Sequence, residues 1–179
     1  MRIGFWKVFI GLMALVVGWY LFNPLGVPSL DPRLRYLGVA PFFVPANSMK
    51  PTLKSGDTVV VSVWPYRFAE PQRGDVAIFL YPRDPGFKYV KRLIGLPGER
   101  IAVRDGKVYI NGEALTEPYV LQDPQGVLPH SDMPERLVGE NEFFALGDNR
   151  NHSNDSRFWG SVPRQNLIGS VVKVFESGD

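Results

Sequence analysis

The chain has 179 residues, 45% of them hydrophobic, enough to bury one real core and too apolar for a disordered tail. Twenty basic residues against 18 acidic ones leave a formal charge of +2, a balance that gives no argument for nucleic acid as a partner. There is no cysteine and there are two histidines, His130 and His152, which excludes thiol catalysis, disulfides and thiolate metal sites and leaves too few imidazoles for most zinc centres.

The first segment, MRIGFWKVFIGLMALVVGWYLFNPL, carries no charge from Val8 to Phe22. Counted from Phe5 the apolar run is 18 residues, at the short end for a membrane span. Lys7 can snorkel to the headgroups, and Trp6, Trp19 and Tyr20 stand near the two ends, where amphipathic rings favour the interface. A cleavable leader needs small residues after the run, but this one closes on Trp19, Tyr20, Leu21 and Phe22. The segment therefore predicts an uncleaved transmembrane helix over a cleaved leader or a buried core helix. Arg2 and Lys7 on the leading side predict a cytoplasmic amino terminus, an asymmetry that Arg33 and Arg35 weaken. PLGVPSLDP then reads as a linker, giving an anchor and tether over residues 1–27 and a folded domain over 28–179 on the far side of the membrane.

Next comes VPANSMKPTLKSGD, where Pro45 and Pro51 stand three residues to either side of Ser48. Two prolines this close hold the backbone in one irregular shape and present Ser48 in one direction. Taken alone, these are also what ordinary turns are made of.

DTVVVSVW (Asp57 to Trp64) and GDVAIFLY (Gly74 to Tyr81) have the β-branched and aromatic richness of buried strands. RIAVRDGKVYINGEAL carries Asp105-Gly106 and Asn111-Gly112, pairs that supply the positive φ of tight hairpin turns. LIGSVVKVF closes the chain as another strand. No sustained 3.6-residue period follows residue 30, so the folded part is predicted to be mainly β, a barrel-like core whose closure hides its edges. Pro118, Pro124, Pro129 and Pro134 break residues 112–142 into loop, predicting a small β/loop cap inserted over about 104–142, with His130 a solvated residue inside it.

ALGDNRNHSNDSRFWG (Ala145 to Gly160) is dense in Asn, Asp, Ser and Arg between apolar anchors, which suits a self-satisfied polar network lining a site as well as it suits a solvated loop. A serine nucleophile needs a base. One candidate is His152, oriented by Asp148 or Asp155. The other is a lysine made neutral by burial, and Lys91 in YVKRLIGLPG is the one set in an apolar strand-like run. A lysine there also serves as an ordinary guard of an edge strand, and spacing leaves both bases open.

The blocks NSMKPTL, RGDVAIF, YVKRLIGLPGE and GDNRNHSNDSRFWG, in this order behind an apolar N-terminal segment, resemble the bacterial type I signal peptidases. These are membrane-anchored serine proteases that remove signal peptides from exported proteins. The resemblance runs over most of the chain from Val44. It implies a barrel-like β catalytic core with a small β insertion, Ser48 as nucleophile and Lys91 as general base. It also implies Ser153 as a hydroxyl orienting the amine, Asp155 and Arg157 as an ion pair beside the site, and Gly147, Asp148 and Asn149 as the opening of the last block. Many members carry Ser-Gly before the nucleophile, where this chain has Ala46 and Asn47. Alanine donates no hydrogen bond, so the oxyanion hole is expected to rest on the Ser48 N–H, helped by Asn47. The resemblance further implies no cofactor or metal, an inner-membrane location with the catalytic part outside the cytoplasm, and the lipid bilayer as a partner. Its substrates are preproteins with small residues three and one positions before the cut. Phe42, Phe43, Trp64, Tyr66 and Phe68 are expected to form an apolar patch against the bilayer. A dedicated peptidase of a conjugation or pilus system, a self-cleaving repressor-type protease and a non-catalytic binding module are the alternatives.

Overall fold

The computed structural model describes residues 4–121 and 132–178. Two helices open the chain, α1 (Phe5–Phe22) and α2 (Pro32–Leu37), before the strands begin. A seven-stranded antiparallel sheet is built from β1 (Val39–Phe43), β2 (Thr58–Ser62), β3 (Val76–Leu80), β4 (Lys88–Gly95), β9 (Glu142–Leu146), β10 (Val162–Pro163) and β11 (Leu167–Phe175). Its order is β1-β2-β11-β3-β4-β9-β10, so β1 and β10 remain edges: the sheet curls into a half barrel, open where the sequence predicts closure. Register shifts at Val171/Lys173, Leu167/Gly169 and Leu93/Gly95 add the local bend and twist that curl it.

A second sheet, β7-β6-β5-β8, is formed by β5 (Arg100–Arg104), β6 (Lys107–Ile110), β7 (Glu113–Ala114) and β8 (Met133–Leu137). Asp105-Gly106 and Asn111-Gly112 turn its hairpins with positive φ, as their residue types require. It starts at Arg100, earlier than expected, and β8 falls inside residues read as loop. MPERL hides its strand character because only Met133 is buried and Pro134 lies on an edge strand, where a missing N–H is tolerated. The His130, Pro124 and Pro129 readings lie outside the described residues.

Three short helices also escape the periodicity. These are α2, α3 (Trp64–Phe68), which replaces the expected strand end at Trp64, and α4 (Ser156–Trp159). Each is too short to show a 3.6-residue period. Two are set by their caps: Asp31 accepts from the Arg33 N–H and Asp155 from the Arg157 N–H.

The stretch read as a linker is packed. Val27 is 2% exposed and joins the main core with Leu34, Val59, Val61 and Ile168, while Asn23 clasps Val27 through both backbone groups at 2.9 and 3.2 Å. Arg35 reaches back to Tyr20 O and Ser29 O at 3.1 and 2.9 Å, tying α2 to the end of α1. At about 1.5 Å per residue, the 18 residues of α1 extend roughly 27 Å against a hydrocarbon core of about 30 Å. Among the described residues, no helix is long and apolar enough to cross a membrane. Of the expected patch, Phe43, Trp64 and Phe68 are exposed, whereas Phe42 and Tyr66 pack against the core.

Candidate active site

Ser48 sits on the turn between β1 and β2. Met49 and Leu53 are fully buried and nail this turn to the core. Backbone bonds close its base, Val44 N–H to Asp57 O at 2.8 Å and Gly56 N–H to Val44 O at 2.9 Å. Inside it, Asn47 Oδ1 accepts from the Ser55 N–H at 3.0 Å and Ser55 Oγ donates to Pro45 O at 3.0 Å. The rigidity read from two prolines is thus completed by side-chain straps. From the polar loop after β9, the Asn149 N–H donates to Ser48 O and Asn149 Nδ2 to Asn47 O, both at 3.1 Å.

Lys91 comes from β4, where it pairs with Ala77 of β3 in the middle of the large sheet rather than at an edge. Its Nζ donates to Ser48 Oγ at 2.7 Å and to Val90 O at 2.9 Å. Lys91 is 5% exposed, and among the described residues no carboxylate is in hydrogen-bond contact with its amine. Burial therefore pulls its pKa down from 10.5 to about 8, against the smaller opposing pull of the Asp155 and Asp148 charges. A cavity of about 320 Å³ opens on the pair, walled by Val44, Pro45, Ala46, Tyr89 and Val90.

The two aspartates are both committed to arginines. Asp148, fully buried, accepts from Arg92 Nε and Nη2 at 2.9 and 2.6 Å, and Arg92 in turn lies 4.0 Å over the Tyr119 ring. Asp155 accepts from Arg157 Nε and Nη2 at 2.8 and 2.9 Å and from the Gly147 N–H at 3.1 Å. Gly147 has no room for a side chain, since a Cβ there would lie 2.5 Å from Ser48 O. Ser153 is buried against Gly147, and its Oγ has no hydrogen-bond partner among the described residues, while the amine donates to Val90 O. Asn47 turns its carbonyl oxygen to Ser55, and Ala46 is part of the cavity wall. His152 is exposed at the cavity rim and makes no hydrogen bond to Ser48 or to either aspartate among the described contacts.

Thr52 and Arg92 belong to this network and were not legible as such. Arg92 follows Lys91 directly, but its partner Asp148 lies 56 positions away. Local spacing carries no signal for that pairing.

The arrangement provides a hydroxyl, an amine at hydrogen-bond distance from it whose pKa is drawn down to about 8, and a Ser48 N–H that makes no hydrogen bond among the described residues. Such a set can deprotonate the hydroxyl and stabilise an oxyanion.

A family model described as signal peptidase, peptidase S26, matches residues 3–175. The protein named Probable signal peptidase I-1 of Synechocystis sp. is 42% identical over 149 residues, 79% of this chain and 74% of that protein. Signal peptidase I of Leptolyngbya laminosa is 41% identical over 166 residues, covering 89% of this chain and 76% of the relative. A crystal structure of a signal peptidase I from Enterococcus faecalis aligns at 36% identity and a TM-score of 0.49, covering 58% of this chain and 98% of that one.

Proposed function

The chain belongs to the signal peptidase family, peptidase S26, and from that premise we propose that it cleaves signal peptides from exported preproteins with a Ser48–Lys91 dyad. The observation that carries the dyad is the 2.7 Å approach of a buried lysine, its pKa drawn down to about 8, to one serine hydroxyl.

Neutral Lys91 takes the Ser48 proton as Oγ attacks the carbonyl carbon of the scissile bond. The oxyanion forms against the Ser48 N–H, with no hydroxyl available from Ala46; Asn47 Oδ1 accepts from the Ser55 N–H, so any help from that side chain comes from its Nδ2. Lys91 then gives its proton to the departing amine, leaving an ester on Ser48. The same amine next deprotonates the water that hydrolyses this ester, restoring Ser48. Val90 O keeps the amine aimed throughout. For Ser153 to share that task, its unpartnered hydroxyl or the amine has to shift. Asp148 with Arg92, and Asp155 with Arg157 and Gly147, fix the loop that straps Ser48 from behind.

Substrates have small residues three and one positions before the cut, in keeping with a modest cavity walled by a stiff loop. Residues 1–27 serve as anchor and tether, with Val27 already part of the domain core, and residues 28–179 form the catalytic domain, the second sheet being its cap. For α1 as a single bilayer anchor with a cytoplasmic amino terminus, the support is its all-round apolar exposure, as at Ile10, Leu15, Leu21 and Phe22. The small shortfall in length is of the kind that interfacial Trp6, Trp19 and Tyr20 and local bilayer thinning accommodate.

The test is preprotein cleavage by the full chain in detergent micelles, with Ser48→Ala, Lys91→Ala and His152→Ala made separately. The first two are expected to lower kcat by about 10³-fold or more and the third to leave it within a few-fold. Activity retained by Lys91→Ala and lost in His152→Ala would replace the dyad with a triad.

A further inference from the structure

A second cavity, of about 250 Å³, lies away from Ser48, between the chain leaving α1, helix α3 and the turn before β11. We propose that it binds the phosphate of an anionic lipid headgroup. The proposal rests on the reading of α1 as a membrane anchor.

Leu25, Gly26, Val27 and Pro28, which follow directly on the end of α1 at Phe22, form one wall. With α1 in the bilayer, that wall stands at headgroup depth. Facing it are two guanidinium groups, Arg67 and Arg164, and no acidic residue is among the lining. Arg67 makes no ion pair among the described residues, and its Nη2 donates only to the neutral Pro24 carbonyl at 3.2 Å. Arg164 is paired with Glu70 at 2.8 Å, but Glu70 is 77% exposed on its side chain, and exposed pairs of this kind are readily exchanged. Two planar guanidinium forks, one of them without an ion pair among the described residues, are suited to bidentate contacts with a phosphate.

The rest of the wall favours a lipid over a free anion. Leu25, Val27 and Leu167 offer apolar surface beside the guanidiniums. On the same short helix as Arg67, Trp64 and Phe68 stack at 6.0 Å, with Phe68 81% exposed, and exposed aromatic rings of this type sit at headgroup level. The volume is below the roughly 300–1,000 Å³ of pockets for drug-sized ligands, so it takes a headgroup and leaves the acyl chains outside.

The experiment follows thermal unfolding of the full chain in a neutral maltoside detergent while dihexanoyl phosphatidylglycerol, dihexanoyl phosphatidylcholine or inorganic phosphate is added. Phosphatidylglycerol is expected to raise the unfolding midpoint saturably. Loss of a charge-assisted contact in Arg67→Gln should weaken the half-saturating concentration by about tenfold, and Arg67→Gln with Arg164→Gln by more. Phosphatidylcholine and inorganic phosphate should give no saturable shift over the same range. An equal shift with phosphatidylcholine, saturation by inorganic phosphate alone, or unchanged affinity in the double variant would overturn the proposal. Should Arg164→Gln unfold the domain, the single change at exposed Arg67 decides. The micelle assay reads the cavity whether or not α1 spans a bilayer, while alkaline extraction of membranes tests the anchor separately.

Discussion

Replacing Lys91 with methionine, an unbranched side chain one atom shorter and without charge, should make the protein more stable at neutral pH while abolishing cleavage. The amine titrates at 10.5 when unfolded and at about 8 when folded, because burial disfavours its cation. Between those values the unfolded chain binds a proton that the folded chain has released, so stability rises with pH across this window and the full penalty applies below it. At ~1.4 kcal/mol per pH unit, a fall from 10.5 to about 8 amounts to roughly 3 kcal/mol. Urea unfolding of the parent and of Lys91→Met, run in parallel micelles from pH 7 to pH 11, measures the difference with all other titrations cancelled. The variant is expected to lead by about 3 kcal/mol at pH 7, and the lead should shrink steadily above pH 8, as the parent's folded state sheds the proton that its unfolded state keeps, and level off above pH 10.5. A difference that stays constant over the whole range would mean an ordinary, charged lysine, and the base assigned to Ser48 would be gone.

The same titration sets the activity profile: kcat/KM against pH should rise through an apparent pKa near 8 and level off above it, read from initial rates of preprotein cleavage. Installing the missing donor with Ala46→Ser, in the cavity wall beside Ser48, should raise kcat by about tenfold or more if the hydroxyl reaches the oxyanion, measured in single-turnover acylation. Arg157→Ala strands the buried Asp155 carboxylate and is expected to cost about 3–5 kcal/mol in urea unfolding, far more than an exposed charge would.

Several features could be read before any fold was known because their physics is local. Asp105-Gly106 and Asn111-Gly112 tolerate positive φ, so the hairpins of the second sheet were visible in two dipeptides. Apolar runs at Val76–Leu80 and Leu167–Phe175 declared themselves as strands, and prolines at 45 and 51 declared a rigid turn. The order of four short blocks was enough to suggest a family that the comparisons then supported.

What remained hidden is what depends on partners distant in the chain. Nothing near Lys91 separates a buried amine from an edge-strand charge; that follows from β4 lying between β3 and β9 in the middle of the sheet, where water is excluded and the pKa falls. The linker reading of PLGVPSLDP failed at Val27 for the same reason, since prolines report local stiffness and not the hydrophobic cavity into which one valine drops. Ser153 and His152 are one residue apart in a polar run, yet one is buried against Gly147 and the other exposed at the cavity rim. The sequence alone determined which side chains have the capacity for the chemistry. Burial and the 2.7 Å meeting of Ser48 with Lys91, 43 positions apart, are properties of the assembled sheet, because desolvation acts through everything that surrounds a group in space.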